Sequence, residues 1–393
     1  MHHQPHFLFL GNTSFSGLAQ REHALAVGLA KRGYDVTYIE GMPSLAASLR
    51  HILRKISSPY AIERGGELSQ LPPSMKILTP PMVPTYSRSS ITPAFDRALF
   101  RRWFETVRKS FDWSATILFV SLPHWWTGFF DGYQSSAKGT IYDKCDSLLV
   151  PSRNKRALRV MAEAEDKLIE QSNLITYSAH EMKSEIERRS GNARTLFLPN
   201  AVAADFVRRV EHRTSISGGR KRVGFVGAVD ERWIDMKLIE GMVRARHDVD
   251  FVFVGTVQRN VRARLRAHRN VVFTGALPHL EVAGLLTSFD AAIIPFLENE
   301  ISRVVNPLKM YEYCAAGIPT VARATPELRH YADLVYLAGS EDEFIDALDR
   351  ALNEVDGGLE KFRRKFAGEN TWDHRIERLL GAIRETMPEK KRS

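Results

Sequence analysis

Between Asn306 and Pro319 the chain reads Asn-Pro-Leu-Lys-Met-Tyr-Glu-Tyr-Cys-Ala-Ala-Gly-Ile-Pro, a series of residue types that can hold a phosphorylated ligand. Asn306 is a good N-cap and Pro307 suits the first helical position, whereas Gly317 and Pro319 stop a short helix. Free N–H groups and the dipole at such a helix start attract an anion, with about 0.3–2 kcal/mol from the dipole. Lys309 adds a formal positive charge in the first turn. A cation there opposes the dipole, so an anion in front of the helix gives Lys309 a reason to be there. Glu312 follows in the same helix, where a carboxylate can accept both hydroxyls of a ribose; a solvated helical carboxylate is the competing reading.

Three glycines extend this pattern. Gly227, Gly255 and Gly275 end the apolar runs Val223–Val226, Phe251–Val254 and Val271–Thr274. A glycine at a strand end lets a ligand approach the backbone, although a bare turn explains any one of them equally well.

A hydroxyl that attacks an electrophile needs a proton acceptor. Asp143 follows the run Thr140–Tyr142, with Asp146 a little beyond, and His124 follows Thr116–Ser121 within Leu122-Pro123-His124-Trp125-Trp126. A carboxylate or imidazole at such a strand end would serve; for Asp143, capping of the next turn is the alternative role. His124, Trp125 and Trp126 present rings on which a sugar could stack. Asp248-Val249-Asp250 spells a metal-binding string, but it begins a strand and lies far from any carboxyl end, so it is read as structural and no metal is expected.

These groups must be carried by a framework, and the chain alternates short β-branched runs with longer helical patterns throughout, the α/β signature. The first half supplies the runs Phe7–Leu10, Val36–Ile39, Ile77–Leu78, Thr116–Ser121, Thr140–Tyr142, Leu174–Tyr177 and Leu196–Leu198. A second series adds Ala291–Ile294 and Thr320–Ala322 to the three runs that end in glycine. At 393 residues the chain exceeds a single ordinary core. The expectation is therefore two doubly wound units: 1–205, a linker at 206–221, and 222–371, with a last helix at about 372–390 returning to the first unit. Gly218-Gly219 reads as linker punctuation, because it lacks the later Gly-Lys-Ser/Thr of a phosphate loop. Ligands of such sheets bind outside the carboxyl ends of the strands.

After the first run, Gly11-Asn12-Thr13-Ser14-Phe15-Ser16-Gly17 reads as a flexible polar turn, followed by a helical pattern from Leu18 to Gly33. The Gly-x-Gly-x-x-Gly spacing is absent, which disfavours a nicotinamide oxidoreductase.

The segment Asn306–Pro319, with the strand-end glycines before it, resembles the donor-site motif of GT-B glycosyltransferases, particularly the retaining family 4 type. Its relatives in bacterial surface-polysaccharide synthesis, including teichuronic-acid-type enzymes, share it. The resemblance implies an α/β GT-B fold, two Rossmann-like domains facing across a cleft. It also implies transfer of a sugar from a nucleotide-diphosphate donor, UDP or GDP type, to a glycan or lipid-linked acceptor, with no further cofactor. Glu312 fills the second Glu of the family pattern and would bind the donor ribose. The first Glu position is occupied by Val304, a departure that leaves Ser302, Arg303 and Asn306 as polar candidates near the transferred sugar. Gly227 to Arg232 resembles the family's first C-domain loop, which makes Arg232 the preferred diphosphate contact and Lys237 the second; each is also readable as a surface charge. Gly275, Ala276 and Leu277 would lie beside the base, and Pro307 and Leu308 would belong to the donor-binding segment. In the first domain, Ser14, Ser16 and Gly17 would face donor and acceptor, with Trp125 and Trp126 on the acceptor side, and, of the two strand-end candidates Asp143 and His124, the resemblance makes Asp143 the expected base. Gln20-Arg21-Glu22-His23 resembles the start of the family's first helix and is equally readable as a solvated face.

Two rivals stay open: a non-hydrolysing nucleotide-sugar epimerase, which needs no acceptor, and a catalytically silent GT-B protein that binds a glycan or a partner.

Composition narrows the setting. With 44% hydrophobic and 26% charged residues the chain is globular, and Cys145 and Cys314 stand too far apart in sequence to suggest a disulfide framework. The net charge of +9 is scattered over many helices, without zinc-finger or RRM signatures, so nucleic acid is not expected as a partner. The short apolar run at the start has no Lys or Arg ahead of it, and no stretch is long enough to span a bilayer, so a cytoplasmic chain is expected. Leu45, Leu49, Ile52, Leu53 and Ile56 make an apolar stripe flanked by Arg50, Arg54 and Lys55. It either packs on its own domain or docks on an anionic membrane surface at the inner face.

Overall fold

A computed structural model describes residues 4–15, 20–41, 71–80, 92–130, 132–148, 155–190, 194–210 and 219–387. The chain divides into two compact units, one of Met1–Ser178, Met182–Leu198 and Ile376–Ser393, the other of Ala179–Glu181 and Pro199–Arg375.

Among the described residues the first unit is built on seven strands: β1 (His6–Leu10), β2 (Val36–Ile39), β3 (Met75–Leu78), β4 (Thr116–Val120), β5 (Gly139–Lys144), β6 (Leu174–Tyr177) and β7 (Thr195–Phe197). They lie in the order β3-β2-β1-β4-β5-β6-β7, each neighbouring pair parallel. Unbroken apolar runs fit this arrangement, because a parallel sheet is covered on both faces. Phe7, Leu8, Phe9 and Leu10 are all fully buried in consequence. The strand order reverses between β1 and β4, which opens a crevice above their carboxyl ends.

The second unit carries β8 (Lys221–Val226), β9 (Val249–Val254), β10 (Val271–Gly275), β11 (Ala291–Ile294), β12 (Thr320–Arg323) and β13 (Tyr336–Ala338). Their order, again all parallel, is β10-β9-β8-β11-β12-β13, with the reversal between β8 and β11. The last strand, β13, is a short edge strand only partly buried, and periodicity does not reveal it.

The division between the units falls at Leu198/Pro199 instead of at 205. Val202, Phe206 and Val210 explain the difference, because all three bury in the core of the second unit. The helix Ala204–Val210 thus occupies the start of the expected linker. At the other end, the helix Trp372–Thr386 crosses the division, and beyond Ile376 it belongs to the first unit. There Gly28 accepts its approach: a Cβ on Gly28 would stand 2.0 Å from Cδ1 of Ile376.

Among the described residues no helix is long and apolar enough to cross a membrane. The stripe from Leu45 to Ile56 lies outside the described residues, as do Ser16, Gly17 and Gly218.

Candidate donor and acceptor sites

In the second unit, β8, β9 and β10 end side by side in glycine. Gly227 N–H donates to Val254 O and Gly255 N–H to Gly275 O, each at 2.8 Å. Gly227 and Gly255 have φ of +135° and +133°, values that side chains rarely adopt. A Cβ on Gly255 would also stand 2.2 Å from the Gly227 carbonyl oxygen. Glycine is required at both positions by backbone shape, and at Gly255 by space as well, so the strand ends stay bare.

The helix Leu308–Ala315 faces these ends. Tyr313 fixes its place, because the hydroxyl of this buried residue accepts the N–H of Val226 at 2.9 Å. Gly317, at φ +69°, ends the helix, and Arg364 donates to the carbonyls of Ala315 and Ala316 at 3.1 and 3.0 Å. A guanidinium at the carboxyl end complements the dipole.

Asn306 does not cap this helix. It is 2% exposed and acts as a buried rivet: its Oδ1 accepts from Asn200 N at 3.0 Å, while its Nδ2 donates to Glu327 and to the Tyr331 hydroxyl at 2.9 Å. Pro307 takes the N-cap position and is buried too, whereas Leu308 and Lys309 are half-buried. The side chain of Asn306 is thus spent inside its own unit, and Lys309 is the charged residue of the helix's first turn.

The Lys309 ammonium lies 4.5 Å from the ring centroid of Phe225 and 5.3 Å from that of Phe296. A Cβ on Gly227 would be 3.2 Å from it, so the cation stands against the bare end of β8, beside β11, where the strand order reverses. Among the described residues Lys309 makes no ion pair, and burial lowers its pKa to about 8, with the charge of Glu312 opposing. Two aromatic faces stabilise the cation without neutralising it.

Glu312 is 5% exposed and no solvated carboxylate. Its Oε1 meets Nε2 of His279 at 2.6 Å. His279 opens the helix that follows Gly275 and stacks on Phe206, with centroids 4.8 Å apart. Motif spacing does not single out His279, although a Pro-His pair opening a helix after a glycine-ended strand is a usable signal. Ala276 is exposed and Leu277 is half-buried against the core, so both line the route from β10 to His279.

Arg232 is engaged elsewhere. It grips Asp230 through bonds of 2.7 to 3.1 Å and lies over the ring of Trp233, at 4.3 Å. Lys237 is an exposed residue of the helix Met236–Ala245. Ser302 is 1% exposed and bonded to the backbone of Asn299, while Arg303 is exposed. Asp248 and Asp250 are held by Arg246 and Arg220 at 2.7 Å, at the amino end of β9.

The first unit corrects the expected base. Asp143 is fully buried and clamped by Arg21, with Nε to Oδ2 and Nη2 to Oδ1 both 2.9 Å, while Thr176 Oγ1 donates to it at 2.6 Å. A carboxylate so enclosed cannot reach a substrate proton, and it joins the helix Arg21–Lys31 to β5 and β6 instead. His124 is 2% exposed against Trp125, and burial lowers its pKa to about 3, which keeps it neutral. Trp125 and Trp126 form no acceptor wall, being buried with Phe100, Phe129 and Phe130.

The loop after β1 is tethered by two carboxylates. Glu22, 5% exposed, accepts from the N–H groups of Asn12 and Thr13 and from the Tyr38 hydroxyl at 2.7 to 3.0 Å. Glu40 accepts from Ser14 Oγ and Phe15 N–H, both at 2.8 Å. Arg21, Glu22 and His23 are thus interior groups, no solvated face.

Residues 220–354 match the family described as Glycosyl transferases group 1. The Bacillus subtilis chain named as putative teichuronic acid biosynthesis glycosyltransferase TuaH is 25% identical over 260 residues, 61% of this chain. The match spans 65% of that relative's length. Among solved structures, sucrose-phosphate synthase from Thermosynechococcus elongatus superposes with a TM-score of 0.68 at 14% identity, covering 97% of this chain and 98% of its own. Anabaena HepE in complex with UDP and glucose gives 0.62 at 12% identity, covering 96% and 99%. The fold is GT-B.

Proposed function

We propose that this GT-B chain, with a glycosyl transferases group 1 domain in its second unit, transfers a sugar from a nucleotide-diphosphate donor to a glycan or lipid-linked acceptor in bacterial polysaccharide synthesis. The observation that carries the reading is the Lys309 ammonium, half-buried against the bare glycine end of β8 and without an ion pair among the described residues. A buried cation without a counterion is costly, and a diphosphate would supply the missing charge. The glycines at 227 and 255 leave room for phosphate oxygens to approach the bare strand ends. Glu312, oriented by His279, offers its second oxygen to a ribose hydroxyl. The base would lie along Gly275, Ala276 and Leu277.

Chemically, Lys309 and the backbone at the strand ends stabilise charge that develops on the leaving diphosphate, and preorganised stabilisation of this kind usually contributes more to the rate than any other single effect. No divalent cation is needed for that stabilisation, and transfer is proposed to be metal-independent. A uridine nucleotide is the favoured donor, since the structurally similar HepE was solved with UDP and glucose.

Calorimetric titration of the full chain with UDP and GDP tests the reading. Saturable binding of one of them, weakened at least about tenfold by Lys309→Met, supports it; no binding of either would remove it.

A further inference from the structure

We propose that Ser121 and Asp146 form the binding site for the attacking hydroxyl in the first unit, with Ser121 holding the hydroxyl and Asp146 taking its proton. This rests on the transferase reading. The sheet order reverses between β1 and β4, and a cavity of about 20 Å³ opens at the carboxyl ends of β1, β4 and β5, lined among others by Asn12, Ser121, Tyr142 and Asp146. That is room for one water-sized oxygen, such as a hydroxyl entering from a larger ligand.

Two independent features point to a ligand there. Ser121 is 6% exposed, and its Oγ has no hydrogen-bond partner among the described residues. A buried hydroxyl is rarely left unbonded in a folded protein, and a ligand hydroxyl in the cavity would satisfy it. Its place is fixed by the backbone, since Ser121 N–H donates to Leu10 O at 3.2 Å. Asp146 is exposed at the same cavity. Unlike Asp143, it makes no ion pair with a cation among the described residues.

The groups around Asp146 bear on its proton affinity. Protein atoms crowd its carboxyl although solvent reaches the residue, and this desolvation, ahead of the charges of Glu22 and Asp143, raises its pKa to about 7; Arg21 opposes. Cys145 and Tyr142, beside it, stay protonated because burial raises both. A base poised near neutrality is matched to its task. In the step, the hydroxyl proton passes to Asp146 as oxygen bonds to the anomeric carbon. The bond from that carbon to the phosphate oxygen breaks, and its electron pair leaves on the nucleoside diphosphate.

The test uses the full chain, Asp146→Asn and Ser121→Ala. Calorimetry with UDP first checks the donor reading separately, and both variants should bind UDP as the wild type does. Carbon NMR of aspartate-labelled protein should show one carboxyl titrating near pH 7 that is absent from Asp146→Asn. Cleavage of UDP-glucose with water as nucleophile should fall about 100-fold in Asp146→Asn and at least about 10-fold in Ser121→Ala. Equal cleavage in Asp146→Asn, or no carboxyl titrating between about pH 6 and 8, overturns the proposal. Should the wild type not bind UDP, the transferase reading fails and this proposal with it; a wild type that binds UDP but does not cleave UDP-glucose overturns this proposal alone.

Discussion

The ammonium of Lys309 stands over the ring of Phe225, 4.5 Å from its centroid, and against the bare Cα of Gly227. The helix thereby brings a cation to a strand end that lacks side chain and, among the described residues, counterion alike.

Replacing this lysine should separate stability from binding. Its folded pKa of about 8 lies below the unfolded value, so the unfolded chain binds more protons between about pH 8 and 10.5 and stability rises with pH across that window. Below it the charged form costs stability in full. Lys309→Met is expected to raise thermal stability at pH 7, by on the order of 1 kcal/mol, and to flatten the alkaline rise, while donor binding is lost. Melting curves from pH 7 to 10 check both; an unchanged or lowered melting point would contradict the first.

Glu312 should act through its carboxylate and not through bulk. Glu312→Gln keeps the shape beside His279 but weakens acceptance of ribose hydroxyls, so affinity for a nucleoside diphosphate should drop about tenfold with little change in fold. His279→Ala should lose less, because it removes only orientation. Calorimetry with the same nucleotide on all three proteins measures the order.

Much of this was legible in sequence, and what was not has a physical reason. Among the described residues apolar runs located twelve of thirteen strands, most clearly the central ones, which are buried on both faces, while β13, a three-residue edge strand only partly buried, did not stand out. The placement of Lys309 and Glu312 on one short helix, and of the glycines at strand ends, was legible by type and spacing. Asp143 misled because a carboxylate after a strand looks the same whether it meets solvent or Arg21, a contact across 122 positions that spacing cannot show. Asn306 misled in the same way: the cap preference was outweighed by partners at Asn200, Glu327 and Tyr331. Val202, Phe206 and Val210 moved the boundary because an amphipathic turn beside a polar linker belongs to whichever core receives it.

Asp143→Ala should unfold the first unit more easily instead of slowing chemistry alone. Removing one partner of a buried ion pair costs about 3–5 kcal/mol, because the Arg21 guanidinium then stays buried without this carboxylate. Urea denaturation should show a lower midpoint. A wild-type midpoint together with a lost rate would restore Asp143 to catalysis.

Acid should destabilise the first unit through its buried imidazoles. Burial holds the pKa of His124 at about 3 and that of His6 at about 4, both below the unfolded value, so the unfolded chain takes up protons first. Their stabilisation is complete above about pH 6.5 and falls as pH drops toward the folded values, by up to about 1.4 kcal/mol per pH unit for each. His124→Gln should reduce the slope of stability against pH between about 5 and 6.5 by about one proton's worth. An unchanged slope would show that His124 is charged in the folded protein.

The donor site is tested most directly by titrating UDP and GDP into the wild-type chain and Lys309→Met in a calorimeter at pH 7, with EDTA present throughout. A cationic, metal-free donor site predicts saturable binding of one nucleotide to the wild type despite the chelator, and a loss of at least about tenfold in the variant. Equal affinity in the two proteins, or binding only when a divalent metal replaces the chelator, would contradict it.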